Sequence, residues 1–204
     1  MTEEPIEPAN PEPANPEPAI PTLLLNGDVP ALPADVEKRF AVLGYPCQTI
    51  SHAPMRTVED SRKYRNGVPG GYSKNLFLRN KKGKMWLVTL LEDRQVDLKQ
   101  LGQQIGAGRV SFASPQRLMH YLGVIPGAVT PLAAINDHSN SVSVVLDATL
   151  LERDPLHFHP CDNSMTTTIN KEGLLGYLND CQHEPVVLDF DCLLYTSPSP
   201  RDRG

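Results

Sequence analysis

The sequence predicts an α+β domain: one mixed, curled, barrel-like β-sheet with helices wrapped around it. Three observations carry this expectation. Strand-like and helix-like apolar patterns are interspersed along the chain without the even spacing of repeated strand–helix–strand units. Two β-favouring runs, residues 74–79 and 85–90, flank the turn-forming stretch Asn80-Lys81-Lys82-Gly83-Lys84, which is the pattern of a hairpin. No glycine-rich phosphate loop marks a nucleotide-binding parallel sheet.

The elements follow in order. Residues 35–43 place Val36, Phe40 and Leu43 at helical spacing and stop at Gly44. Residues 47–51 read as a short strand. Thr57 and Asp60 have the spacing of a helix start, and that helix is expected to run to about Arg65. Residues 66–73 hold three glycines and a proline and read as a loop leading into the hairpin. Asp97 caps a helix carrying Leu98, Leu101 and Ile105, which ends at Gly106. Ser114-Pro115 opens the next, with Leu118 and Leu122 on one face and Gly123 as its stop. Residues 141–147 and 185–190 read as strands and 170–178 as a helix.

Both ends are set apart from the domain, which is expected to span residues 35–191. Residues 7–21 repeat proline, alanine and an acid every five residues; residues 1–34 therefore read as a solvated tail, either inert or a docking spacer. Residues 192–202, CLLYTSPSPRD, look like a translated sequencing-library adapter, so 192–204 are expected to be an artefact replacing native sequence after Asp191. The 204 residues suffice for one domain with a core, and no stretch has the apolar length of a membrane span. Four cysteines without a C-x-x-C pair suit a reducing compartment, so a cytoplasmic protein is expected.

The formal charge is −5, but six acids and no base lie in residues 1–34. From Arg56 to Lys84 nine bases stand against Glu59 and Asp60. Such a stretch on an otherwise neutral domain is a candidate phosphate-facing patch, with Arg62, Lys63, Arg65 and Arg79 as its nucleic-acid contacts; a solvated helix face plus a basic hairpin tip is the plainer alternative.

The candidate chemistry sits in four segments. Lys74 lies where the glycine-rich loop enters a strand, a place that can aim an ammonium at a cleft mouth. Gly127, with Ala128, Thr130 and Pro131, forms a rigid loop able to present backbone donors to a carbonyl. Asn136 and Asp137 follow. The last is residues 157–163, HFHPCDN, with His159 and Asn163. On a continuing strand His157, His159 and Cys161 would share one face, yet His-x-His-x-Cys is not a zinc spacing, so no metal and no cofactor are expected. No serine-nucleophile motif or carboxylate pair compels an acid–base mechanism.

From about Val36 to Phe190 the segments KNLFLR (74–79), Asp97-Leu98-Lys99, RVSFAS (109–114), LGVIPGAVTP (122–131), Ile135-Asn136-Asp137 and FHPCDN (158–163) followed by Thr166-Thr167 resemble in order and spacing the YbaK/prolyl-tRNA synthetase-associated editing domains, particularly the free-standing ProXp-ala (PrdX) branch. The resemblance implies a trans-editing hydrolase that removes alanine from mischarged alanyl-tRNA(Pro), with the tRNA(Pro) acceptor end as partner. It implies that Lys74 engages the terminal nucleotide, that the Gly127–Pro131 loop faces the ester carbonyl, and that His159 and Asn163 belong to the pocket. Ala128, Thr130, Pro131, Asn136 and Asp137 are expected around the substrate. A cysteinyl-tRNA(Pro) deacylase, a catalytically silent tRNA-binding module and a metal-dependent hydrolase stay open as alternatives.

Overall fold

The computed structural model describes residues 20–54, 62, 65 and 67–191. The expected helix start at Thr57 and Asp60, and Lys63, lie outside these residues, as do residues 1–19 and 192–204; Arg62 and Arg65 are helical.

Helices form where the sequence supplies both ends. In α1 (Pro33–Leu43) proline takes the first turn, the Asp35 carboxylate accepts from Leu32 N–H at 2.8 Å, and Gly44 closes the helix in the left-handed region at φ 74°. Val36 and Phe40, one turn apart, are its buried face. Asp97 accepts from the N–H groups of Lys99 and Gln100 to start α2 (Leu98–Gln104). Ser114 and Gly123 bound α3 (Pro115–Leu122), and Asn170 caps α4 (Lys171–Asp180). Phe40 of α1 stacks on Tyr177 of α4 at 4.7 Å between ring centroids, and the Tyr177 hydroxyl donates to the Leu132 carbonyl, so the buried phenol keeps a partner.

The strands are β1 (Gln48–Ser51), β2 (Gly71–Asn80), β3 (Met85–Leu91), β4 (Val110–Phe112), β5 (Val142–Asp147), β6 (Leu156–Phe158), β7 (Met165–Ile169) and β8 (Val186–Leu188). They make one eight-stranded mixed sheet in the order β1-β7-β6-β2-β3-β5-β8, with β4 also on β2. The expected hairpin forms, with Lys74 opposite Leu90 and Arg79 opposite Met85. β2 divides the sheet: its first residues, Gly71 and Tyr72, pair in parallel with β6, while its last three pair with β4. One apolar cluster, with Leu78, Trp86, Val88 and Leu101, lies on the α2 face, and Phe77, Leu87 and Leu122 pack on the other.

One boundary is corrected. The expected tail reaching residue 34 makes fixed contacts with the domain from Leu24, and α1 already begins at Pro33. Leu24 is 5% exposed, Leu25 N–H donates to the His120 carbonyl at 2.8 Å, and Ala31 N–H donates to Asn136 Oδ1 at 2.8 Å. The five-residue repeat stops before Leu23-Leu24-Leu25, and of these Leu24 buries its apolar side chain while Leu23 and Leu25 stay exposed. Strands β4, β6 and β7 are additions to the sequence reading. Two are three residues long, and the third, MTTTI, carries threonines on both faces and so shows no alternation of hydropathy.

Candidate functional site

Four strands and one loop build a cleft. Gln48 and Ile50 of β1 pair with Thr168 and Thr166 of β7, and Thr168 in turn pairs with His157 of β6. Alternation along each strand puts these five side chains on one face of the sheet. Tyr72, opposite His157 at the start of β2, adds to that face, with Ser73 and Asn75 beyond it. Arg65, Val68, Pro69 and Pro155 form the rim, and His159 closes the end, around a volume of about 710 Å³.

The wall is tightly fitted. The Tyr72 ring stacks on His157 at 4.6 Å, and the Arg65 guanidinium lies 3.9 Å over the Tyr72 ring centroid while bonding Glu92. Gly70 sits at φ 140°, and a Cβ there would come within 2.4 Å of His157 Nε2 and 2.6 Å of the Pro155 carbonyl, so only glycine fits.

Hydrogen bonds fix the histidine tautomers, because a carbonyl oxygen only accepts. His157 Nε2 donates to the Pro69 carbonyl at 3.1 Å, and its Nδ1 accepts from the Thr168 hydroxyl. His159 Nδ1 donates to the Met165 carbonyl at 2.7 Å, which leaves Nε2 of the neutral ring as a bare acceptor beside the cleft. Burial pushes the pKa of both rings below the ordinary histidine value, which keeps them neutral; for His159, His52 adds to the effect. His52 stands 6.0 Å from His159 between ring centroids and bonds the Thr166 hydroxyl at 2.8 Å.

A second opening is in Asn75. Its Oδ1 is buried without a partner among the described residues, and so is Oγ1 of Thr89, the residue directly across the β2–β3 ladder. Orphaned buried polar atoms are costly, and of the two Asn75 belongs to the cleft wall, which marks a place where a bound group would satisfy it, while Thr89 lies behind the wall.

The structure sorts the residues expected from the sequence. His159 lines the cleft, and so does Arg65. Lys74 lies between Ser73 and Asn75 but is not among the lining residues. Strand alternation puts it with Leu76 and Leu78, its ammonium donates to the Arg94 carbonyl, and burial lowers its pKa. The Gly127 turn, at φ 92°, is also not in the lining: Ala128 is buried and its N–H is taken by the Ile125 carbonyl, while Thr130 Oγ1 accepts from Leu132 N–H above the buried Pro131. That loop meets the His159 segment through Cys161, which packs against the same apolar cluster as Ala128. Burial pushes the Cys161 thiol up to about 12, so it is no nucleophile at neutral pH.

Asn136 and Asp137 are not brought to the cleft. Asn136 bridges Ala31 N–H and the Leu122 carbonyl. Asp137, 3% exposed, accepts from Val142 N–H at 2.7 Å, Ser139 Oγ and His183 Nε2. Burial raises the Asp137 pKa, but these bonds together hold it below the usual carboxylate value. Both side chains serve the backbone, a role that sequence alone does not separate from substrate binding. Asn163 is half-buried in the turn after His159 and does not line the cleft. Arg62 is ion-paired with Asp93, and Arg79 is exposed. Cys161 takes a positive φ of 64°, so the strand of His157 does not continue and the three residues do not share a face; among the described residues no three His, Cys, Asp or Glu side chains converge on a metal position. No described helix is long and apolar enough to cross a membrane.

Residues 52–177 match the aminoacyl-tRNA editing domain. The chain belongs to the aminoacyl-tRNA editing domain family. It is 37% identical to a Bos taurus protein named prolyl-tRNA synthetase associated domain-containing protein 1, over 78% of this chain and 96% of that one. It is 40% identical to the Acetoanaerobium sticklandii prolyl-tRNA editing protein ProX, over 61% of this chain and 77% of that one. A crystal structure of a candidate trans-editing enzyme for prolyl tRNA synthetase aligns with a TM-score of 0.61 at 18% identity, covering 77% of this chain and 94% of that one, and so shares the editing-domain fold. The editing-domain match spans most of the cleft, including β2, β6 and β7; of the sequence-expected residues His159 stands in its wall and Arg65 at its rim. Gln48, His52, Tyr72 and Thr168 carried no local signal; Asn75 inside KNLFLR, His157 inside HFHPCDN and Thr166 just after it lay in segments that stood out, but none of the three was assigned to the site.

Proposed function

We propose that the cleft receives the aminoacyl ester at the 3′ end of a mischarged tRNA(Pro), that the protein hydrolyses it in trans in the cytoplasm, and that alanyl-tRNA(Pro) is the preferred substrate. The observation that carries the reading is made of the described residues: His159 Nε2 is bare beside a cleft with an unsatisfied Asn75 carbonyl, and no carboxylate or cysteine stands in the lining. A cleft of about 710 Å³ accommodates a small aminoacyl group with its terminal nucleoside. A relative named for prolyl-tRNA editing, and another named for a prolyl-tRNA synthetase associated domain, support the same class of substrate.

The chemistry asks little of the protein. An aminoacyl ester is activated, so orientation and fixed dipoles suffice once a water is aligned. Water adds to the carbonyl carbon, the ribose oxygen departs and takes a proton, and the free amino acid and tRNA are released. His159 Nε2 accepts a hydrogen bond from the α-ammonium or the attacking water, and a donor on the aminoacyl-nucleoside satisfies Asn75 Oδ1. Lys74, whose side chain leaves β2 on the face away from the cleft lining, contributes by exchanging the neutral Arg94 carbonyl for a phosphate of the terminal nucleotide, an acceptor that carries its own charge. A proline-specific synthetase site rejects alanine by only about 1–3 kcal/mol, which gives such a hydrolase its task.

Deacylation of alanyl-, cysteinyl- and prolyl-tRNA(Pro) measured side by side tests this. Alanine should be released fastest and proline left intact. Faster release of cysteine would replace the substrate, and tRNA binding without release of either would make the protein a silent module.

A further inference from the structure

We infer that the tip of the β2–β3 hairpin, joined by the start of β4, is the surface that grips the phosphate backbone of the tRNA stem, and that the Arg62–Arg65 face is not. This deepens the proposed function and rests on it. The two basic regions differ in their partners. Arg62 and Arg65 are neutralised by Glu92 and Asp93. Arg79, Lys81, Lys82, Lys84 and Arg109 are all exposed, and none has an ion pair among the described residues. The elements that carry them hold no acid: the sequence has no Asp or Glu between Leu98 and Asn136, which covers α2, β4 and α3, and none from Ser61 to Leu91, which covers β2 and β3; Asp137, near Lys84 through the Met85–Val142 pair, is buried and already bonded.

Arg109 joins the cluster only through folding, because β4 pairs Val110 with Asn80 at the end of β2. One side chain organises the tip. Asn80 Oδ1 accepts from Lys82 N–H at 3.0 Å and Lys84 N–H at 3.1 Å, while its Nδ2 donates to the Ala107 carbonyl in the loop before Arg109. The turn and that loop are thus locked to each other, so the five cations are presented at fixed spacing rather than on a loose loop. Next to them Phe112 is 59% exposed, an aromatic face of the kind on which unpaired bases stack.

The position suits a substrate whose end is in the cleft. Asn75 on the cleft wall and Asn80 at the turn lie on one strand, five residues or about 17 Å apart. An acceptor end inserted at the start of β2 would leave its stem phosphates at the other end of the same strand. Any acidic ligand would feel the charge, but an extended ladder of phosphates is what five unneutralised cations along a strand end fit best.

The test is equilibrium binding of deacylated tRNA(Pro) to the full chain across a salt series. The triple variant K81Q/K82Q/R109Q should weaken binding by tenfold or more at about 0.15 M salt. It should also reduce the slope of log affinity against log salt by about 3, close to one unit per lost phosphate contact. N80A should weaken binding less and leave the slope nearly unchanged, since it loosens the tip without removing charge. Parental affinity and slope in a triple variant with parental melting temperature would overturn the surface. Failure of the parental protein to deacylate any aminoacyl-tRNA(Pro) while still losing tRNA binding in the triple variant would instead overturn the proposed reaction and leave the surface standing.

Discussion

The cleft around His159 and the hub around Asp137 are built from the same residue types, yet they hold their hydrogen bonds differently. In the hub every polar atom is matched: Asp137 takes Val142, Ser139 and His183, and His183 Nδ1 donates to the Cys181 carbonyl at 2.7 Å. In the cleft His159 keeps one nitrogen bare and Asn75 keeps one oxygen orphaned. A completed network stabilises a fold, whereas leftover capacity at a concave surface is what a ligand uses. Substitution in the hub should therefore cost stability, and substitution in the cleft should cost function.

The largest effect expected on stability is at the hub. Asp137→Ala strands the buried His183 and two further donors, which should cost about 3 kcal/mol, or a fall in melting temperature of about 6–12 °C. Thermal unfolding by circular dichroism reads this, and a shift under 2 °C would remove the distinction between the two regions. Asn75→Leu should do the reverse. It removes an unsatisfied buried acceptor at similar volume, so melting should stay level or rise slightly, while single-turnover deacylation falls by about tenfold.

Acidification separates the regions more gently. The folded pKa values of His157 and His159 lie below the ordinary value of about 6.5, so between those limits the unfolded chain binds protons that the folded rings refuse. Stability from these rings is complete above pH 6.5 and is lost as pH falls through their depressed values. The deacylation rate, if it needs neutral His159, should hold at pH 6.5 and decline only as pH falls through the depressed His159 value; a midpoint at or above 6.5 would exclude that role. The smallest effect belongs to the chain start. Removing residues 1–19 should leave melting within about 2 °C, because they have almost nothing apolar to bury. Extending the deletion to residue 31 should lower it visibly, since Leu24 and the Ala31–Asn136 bond are lost.

Much of the architecture was legible because local chemistry declares it. Gly44, Gly123, Asp97, Ser114 and Asn170 all bound helices where their side chains or backbone freedom permit, and the expected hairpin forms. The Thr-rich β7 was not legible, since both its faces are polar in composition and only its neighbours define it as a strand. The site divides along the same line. His159 stood out through the family pattern, but Gln48, Tyr72 and Thr168 meet there only through strand pairing between distant segments. Asn136 and Asp137 looked functional because buried polar residues and ligand-binding ones have the same composition; hydrogen-bond partners separate them.

The most direct test is single-turnover hydrolysis of alanyl-tRNA(Pro) by the parental chain, His159→Ala, Lys74→Ala and Asp137→Ala, each checked for folding at the assay temperature. The expected result is a loss of about 10²-fold or more for His159→Ala and Lys74→Ala at near-parental stability, with Asp137→Ala keeping its rate per folded molecule. Folded His159→Ala hydrolysing at the parental rate, with the folded Asp137→Ala protein inactive, would contradict the account and move the reaction to the hub.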